Sequence, residues 1–131
     1  MSQTSDKKPL ALIIEDDPEL GDIFAKALQM AGFETETIQD GRVAVVRLTA
    51  SQPAIVVLDL HLPRVSGKEI LRQIRAEEQL AKTRVILATA DPLLAETMRE
   101  EADLVLIKPI SFQQLRHLAS RLRPPDIMIE T

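Results

Sequence analysis

The sequence predicts an α/β fold: five β-α units, (βα)5, wound into one open, doubly wound parallel five-stranded sheet of order 2-1-3-4-5. Three observations predict it. First, LALII (10–14), AIVVLD (54–59), RVILAT (84–89) and LVLI (104–107) are near-continuous apolar runs, as expected of strands covered on both faces. Second, the stretches between them repeat apolar residues at helical spacing, and most open on a capping signal. Third, strict alternation of the two patterns calls for right-handed crossovers and a parallel sheet.

The elements follow in order. Residues 1–8, MSQTSDKK, read as a short flexible lead-in before a domain spanning 9–122. After the first strand, Asp17-Pro18 reads as a helix N-cap. Leu20, Ile23, Phe24, Ala27, Leu28 and Ala31 then form a helical stripe that Gly32 can terminate. FETETI (33–38) alternates, as an edge strand with one wet face does, which places it outermost. Asp40 can cap a second helix, apolar at Ala44, Val45 and Leu48, which Pro53 ends. Ser66 and Glu69 fit a capping box for a third helix with Ile70, Leu71 and Ile74 inside. Asp91-Pro92 reads as N-cap and first residue of a fourth helix, apolar at Leu94 and Met98. Ser111 and Gln114 suggest another capping box, for a fifth helix apolar at Phe112, Leu115, Leu118, Ala119 and Leu122. Pro124-Pro125 closes it, and 123–131 is a tail whose Ile127, Met128 and Ile129 either pack on the body, fray, or dock elsewhere.

Composition narrows the function classes. The 131 residues fit one domain, and 45% hydrophobic content supports a core. With no Trp or Tyr, that core is aliphatic. A net charge of −4 argues against nucleic-acid binding as the main role. Without cysteine there is neither a disulfide nor a thiolate metal site. The polar start is unlike a signal peptide, and no apolar run reaches the roughly 18 residues of a membrane span. A cytoplasmic protein without membrane insertion is the expectation.

Ligands of such sheets bind beyond the carboxyl ends of the strands. Strand 1 ends in Glu15 and Asp16, strand 3 in Asp59, strand 4 in Thr89 and strand 5 in Lys108. Each alone has a simple reading: solvated loop acids, a turn starter, a β-prone threonine, a surface lysine. Together they fit those readings poorly. Strands 1 and 3 are expected neighbours, and two carboxylates about 4 Å apart repel by about 4 kcal/mol at an effective dielectric near 20. A cation or a shifted pKa must relieve them. An all-oxygen ligand set selects Mg²⁺ or Mn²⁺ over zinc. Asp59 beside such a metal can accept a phosphoryl group as an acyl phosphate. Lys108 and Thr89 can then supply a cation and a hydroxyl for its oxygens.

The segments LIIEDDPEL, VVLDLHLPRVSG, ILATA and LIKPI resemble the receiver domain of two-component response regulators, over about residues 9–122, with a flavodoxin-like or CheY-like fold. The resemblance implies the following. Asp59 is the phospho-acceptor, taking phosphate from a histidine kinase or phosphotransfer protein. Asp16 ligates Mg²⁺ directly, Glu15 does so through water, and the backbone carbonyl of His61 completes the site. Lys108 pairs with Asp59 and the phosphoryl group. Thr89 moves to bond it and signals to the face of helix 4, strand 5 and helix 5. A cis peptide precedes Pro109. His61 and Asp91, each two residues past a site residue, tune dephosphorylation.

Three departures stand out. Val105 replaces the usual strand-5 aromatic, Glu101-Ala102-Asp103 replaces a Gly-Ala-Asp, and the segment from Thr89 to Lys108 is short. The expected function is a stand-alone phosphorylation-dependent switch that catalyses only its own phosphoryl acceptance and loss. The alternative is a degenerate receiver acting as a phosphate-independent interaction module. A flavin carrier is disfavoured because EDDPEL is acidic where a phosphate cradle would lie. A metal-dependent phosphatase is disfavoured by His61 at the place of its second acid. The cognate kinase, the downstream partner and homodimer formation stay open.

Overall fold

The structure, a computed structural model, describes residues 7–125. The tail residues Ile127, Met128 and Ile129 and most of the lead-in therefore lie outside the described residues. The element order is β1(Leu10–Ile14), α1(Pro18–Met30), β2(Glu34–Ile38), α2(Gly41–Thr49), β3(Ile55–Asp59), α3(Gly67–Ala76), β4(Arg84–Thr89), α4(Pro92–Met98), β5(Leu104–Ile107) and α5(Phe112–Leu122). Short 3₁₀ turns at Glu78–Leu80 and Arg99–Glu101, which periodicity does not reveal, follow α3 and α4.

The five strands form one sheet in the order β2-β1-β3-β4-β5, with every pair parallel. Alternation along each strand divides the core into two layers. Leu12, Ile14, Val56, Leu58, Val85 and Leu87 face α2, α3 and α4, and pack with Ala44, Leu48, Ile70, Leu71, Ile74 and Met98. Ala11, Ile13, Ile55, Val57, Ile86 and Leu106 face α1 and α5, and pack with Phe24, Ala27, Leu28, Leu115 and Ala119. Strands buried on both faces need apolar residues at every position, which is why β1, β3 and β4 read as unbroken runs. β2 lies at the edge, and of its five residues Ile38 alone is fully buried.

The capping signals form much as expected. Asp17 accepts from the N–H groups of Glu19 and Leu20, and Asp40 from that of Arg42. The Ser66–Glu69 box closes in both directions. Gly32 ends α1 at φ 102°, the left-handed region that glycine enters without a Cβ clash.

Three expectations need correction. Ile23, counted in the α1 stripe, is 42% exposed, and Ala25 turns inward instead. Ile23 lies at the rim of a face already filled by Phe24, Ala27 and Leu28. β2 begins at Glu34 rather than 33, because Phe33 packs into the α1–α5 layer and its N–H still bonds Leu28 of the helix end. At α5 only half of the expected box forms. Ser111 Oγ accepts the Gln114 N–H at 2.9 Å, without the return bond that Glu69 makes in α3.

Candidate phosphoryl-acceptor and metal site

The carboxyl ends of β1, β3, β4 and β5 meet at one rim of the sheet. Pairing of β1 with β3 sets Ile14 opposite Leu58, so the residues just beyond, Glu15 and Asp59, emerge side by side. One carboxylate oxygen each from Glu15, Asp16 and Asp59 lie within 4.8 Å of one another. Glu15 and Asp59 are buried and Asp16 is exposed. β4 pairs with β5 through Thr89 and Ile107, which carries Lys108 to the same rim, and the Lys108 N–H donates to the Thr89 carbonyl at 2.7 Å. The Lys108-Pro109 peptide is cis, as expected.

Lys108 Nζ reaches both buried acids, at 3.1 Å from Glu15 Oε1 and 3.4 Å from Asp59 Oδ2. The second oxygen of Glu15 accepts the Asp17 N–H at 3.2 Å, and Asp59 Oδ1 accepts the His61 N–H at 3.0 Å. The resemblance pairs Lys108 with Asp59; here its shorter contact is to Glu15. One ammonium serves two carboxylates, and a third lies close by, so the rim holds surplus negative charge.

The protonation equilibria register that surplus. Burial pushes the Glu15 carboxyl up to about 7, and the nearby Asp59 adds to the rise, while the Asp17 N–H and Lys108 oppose it. Burial by itself would lower the pKa of Lys108, but the charges of Asp59 and Glu15 outweigh it and hold the ammonium above its ordinary value. An all-oxygen set with excess negative charge, partly buried at one rim, is a chemical match for a hard divalent cation. The acidic cluster fits the Mg²⁺ site of a receiver domain.

The other expected residues fall around this centre. Thr89 is fully buried at the end of β4, and its Oγ accepts the Asp91 N–H at 3.0 Å. Asp91 is exposed, and its carboxylate caps α4 through the N–H groups of Leu93 and Leu94. The His61 side chain is exposed beside Asp59. Val105 is half-buried and packs beside the α2–α3–α4 layer. Ala102 is extended, with φ −122°, so the chain enters β5 without a left-handed turn.

Two residues near the site have a structural reason that the sequence does not give. Gly67, the glycine that ends VVLDLHLPRVSG, is one: a Cβ there would collide with the backbone oxygen of Asp59, so α3 can start against Asp59 only through glycine. Arg64 is the other, with φ 70° in the loop after Asp59. The gap between Pro63 and the Ser66 cap is the only hint of so tight a turn. A hollow of about 970 Å³ opens at the opposite, amino-terminal rim of the sheet, lined by Ala54, Thr83, Arg84 and Asp103 among others, far in the fold from the acidic cluster.

Comparison with known proteins agrees with this geometry. Residues 11–120 match the response regulator receiver domain. The DNA-binding dual master transcriptional regulator RpaA of Synechocystis is 31% identical over 122 residues, which cover 90% of this chain and 51% of that protein. The chain thus spans about half the length of the first curated relatives it matches. A CheY-like receiver domain from Methylobacillus flagellatus superposes with a TM-score of 0.79 at 25% identity, covering 89% of this chain and 100% of that one. The response regulator TrrA of Thermotoga maritima, solved in complex with Mg²⁺-BeF, superposes at 0.77 and 25% identity, covering 87% and 98%. With the match running through nearly the whole described chain, this protein belongs to the family of response regulator receiver domains.

Proposed function

We propose that this protein is a phosphorylation-dependent signalling switch whose acceptor is Asp59. The observation that carries the proposal is the placing of one ammonium, Lys108 Nζ, against both buried carboxylates of a three-acid cluster. Glu15, Asp16, Asp59 and the backbone carbonyl of His61 would hold Mg²⁺ or Mn²⁺, which when bound neutralises charge on the phosphoryl oxygens and acts as a Lewis acid toward them. Asp59 supplies the nucleophilic oxygen. Its lone pair forms the new P–O bond while the P–N bond of a phosphohistidine breaks. The electron pair returns to the imidazole nitrogen of a histidine kinase or phosphotransfer protein, and the product is an acyl phosphate. Lys108 stabilises the transferred charge, and the Thr89 hydroxyl donates to a phosphoryl oxygen.

The decisive measurement is intact mass after incubation with Mg²⁺ and acetyl phosphate or phosphoramidate. The wild type gains one phosphoryl group, and Asp59→Asn gains none. A wild type that stays unmodified under both donors, with Mg²⁺ and with Mn²⁺, overturns the proposal. It would leave the second reading, a phosphate-independent interaction module, which Val105 favours because it lacks an aromatic ring to reposition on activation.

His61 and Asp91 set the lifetime of the acyl phosphate in this reading. His61 is exposed next to Asp59, and Asp91 is tied to Thr89 through its own N–H. The decay of phosphorylated protein changes in the double variant His61→Ala/Asp91→Ala; an unchanged rate removes the tuning role.

A further inference from the structure

The chain between Asp59 and α3 is pinned at several points. The His61 N–H donates to Asp59 Oδ1, and the Gly67 N–H donates to the Leu60 carbonyl at 3.3 Å. The Val65 carbonyl lies against Gly41, where a Cβ would come within 2.8 Å of it. Between these points the Val65 N–H donates to the Pro63 carbonyl at 2.8 Å, closing a three-residue turn centred on Arg64 at φ 70°. A γ-turn with positive φ at its centre is rare and strained. Arginine, unlike glycine or asparagine, has no intrinsic tolerance for that region. Such strain persists only where the surroundings over-determine it.

The surroundings here include α2. The Arg64 guanidinium lies 3.8 Å from Asp40 Oδ2, an oxygen it shares with the Arg42 guanidinium at 3.4 Å. Asp40 is itself the α2 N-cap, accepting the Arg42 N–H at 2.8 Å. We propose that Arg64 is a positioning residue for the acceptor site: its ion pair with Asp40 fastens the strained turn to the α2 N-terminus, and so fixes the His61 carbonyl and Asp59 for a divalent cation. The inference rests on the metal-site reading above. It also makes a prediction of opposite sign to simple electrostatics. As a mere positive charge near the site, Arg64 would repel a divalent cation, and its removal would tighten binding. As a positioning group, its removal loosens binding.

Isothermal titration calorimetry with Mg²⁺ on the full chain separates the two. The set is wild type, Arg64→Gln, Arg64→Lys, Asp40→Asn and the double variant Arg64→Gln/Asp40→Asn. Asparagine keeps the α2 N-cap while removing both ion pairs of Asp40, that with Arg64 and that with Arg42, so the double-variant comparison isolates the Arg64 share. Expected are a loss of about two- to fivefold in Mg²⁺ affinity for Arg64→Gln, consistent with a largely exposed pair, substantial recovery in Arg64→Lys, and a double variant no weaker than the weaker single one. Unchanged or tighter binding in Arg64→Gln overturns the proposal, as do single effects that multiply in the double variant. A readout without metal stands beside it. Amide hydrogen exchange at His61 and Val65 is faster in Arg64→Gln and in Asp40→Asn than in the wild type, and equal rates overturn the tie. If the wild type itself takes up no Mg²⁺, the metal-site reading fails, and the exchange rates still decide whether Arg64 holds the turn.

Discussion

Asp103 joins β5 to the body at the rim away from the acidic cluster. It accepts the Val85 N–H at 2.7 Å and pairs with Arg84 at 3.1 Å and Arg75 at 3.2 Å. Arg75 further donates to the carbonyls of Glu101 and Thr83. Burial alone would raise the Asp103 pKa, but the Val85 N–H and the two guanidinium groups outweigh it and hold it below the ordinary 3.8. A carboxylate whose pKa is depressed by folding stabilises the native state above its unfolded pKa, and loses that contribution as pH falls through the folded value. Asp103→Asn therefore lowers stability by about 1–2 kcal/mol near neutrality. In denaturant titrations the gap to wild type stays constant above about pH 5 and closes as the acid limb drops below about pH 4. At this scale the sequence was legible where chemistry was concentrated. Glu15, Asp59, Thr89 and Lys108 each end an apolar run, and position alone singled them out. The partners of Asp103 and the strained φ of Arg64 were not legible, because both depend on which loops meet, and a lone acid or arginine carries no such mark.

The elements were set by local signals wherever a helix end had its own chemistry. Ser66 and Glu69 satisfy one another's backbone donors at the start of α3, directly behind the loop that follows Asp59. Ser66→Ala costs about 1 kcal/mol, measured as a lower urea midpoint with an unchanged m-value. It also frays the first turn of α3, read as faster exchange at the Glu69 amide. Periodicity was less reliable at the margins of a stripe. Ile23 has the spacing of a core residue yet stands exposed, since spacing gives an angle around the helix axis but not the width of the surface that covers it. The half-formed box at α5 has a similar cause: glutamine at the third position permits the return bond without enforcing it. α4 keeps its Asp91-Pro92 start but yields to a 3₁₀ turn after Met98. The short span between Thr89 and Lys108 foreshadows that in the sequence.

In the whole molecule, one sheet supplies both cores, with alternate residues of each strand contributing to opposite layers. Neither layer can unfold without exposing the back of the other. Ile74→Ala, in the α2–α3–α4 layer, lowers stability by about 2–5 kcal/mol. The unfolding transitions followed by far-UV circular dichroism and by NMR signals of Leu115, in the opposite layer, stay coincident. Two separate midpoints would mean the layers melt independently. The strand order was legible because the only alternating strand had to lie outermost, and the acid-bearing ends then fell together at the centre.

The contact between Lys108 and Glu15 spans 93 positions of chain, and it is made just past β5, which follows β1 and β3 in the sequence. A ribosome-bound chain that has released β1 and β3 already owns its acids but lacks the lysine that balances them. The docking of β5 therefore completes the charge balance of a rim begun by β1 and β3, and a copy in which β5 has not docked carries the buried acids without their ammonium.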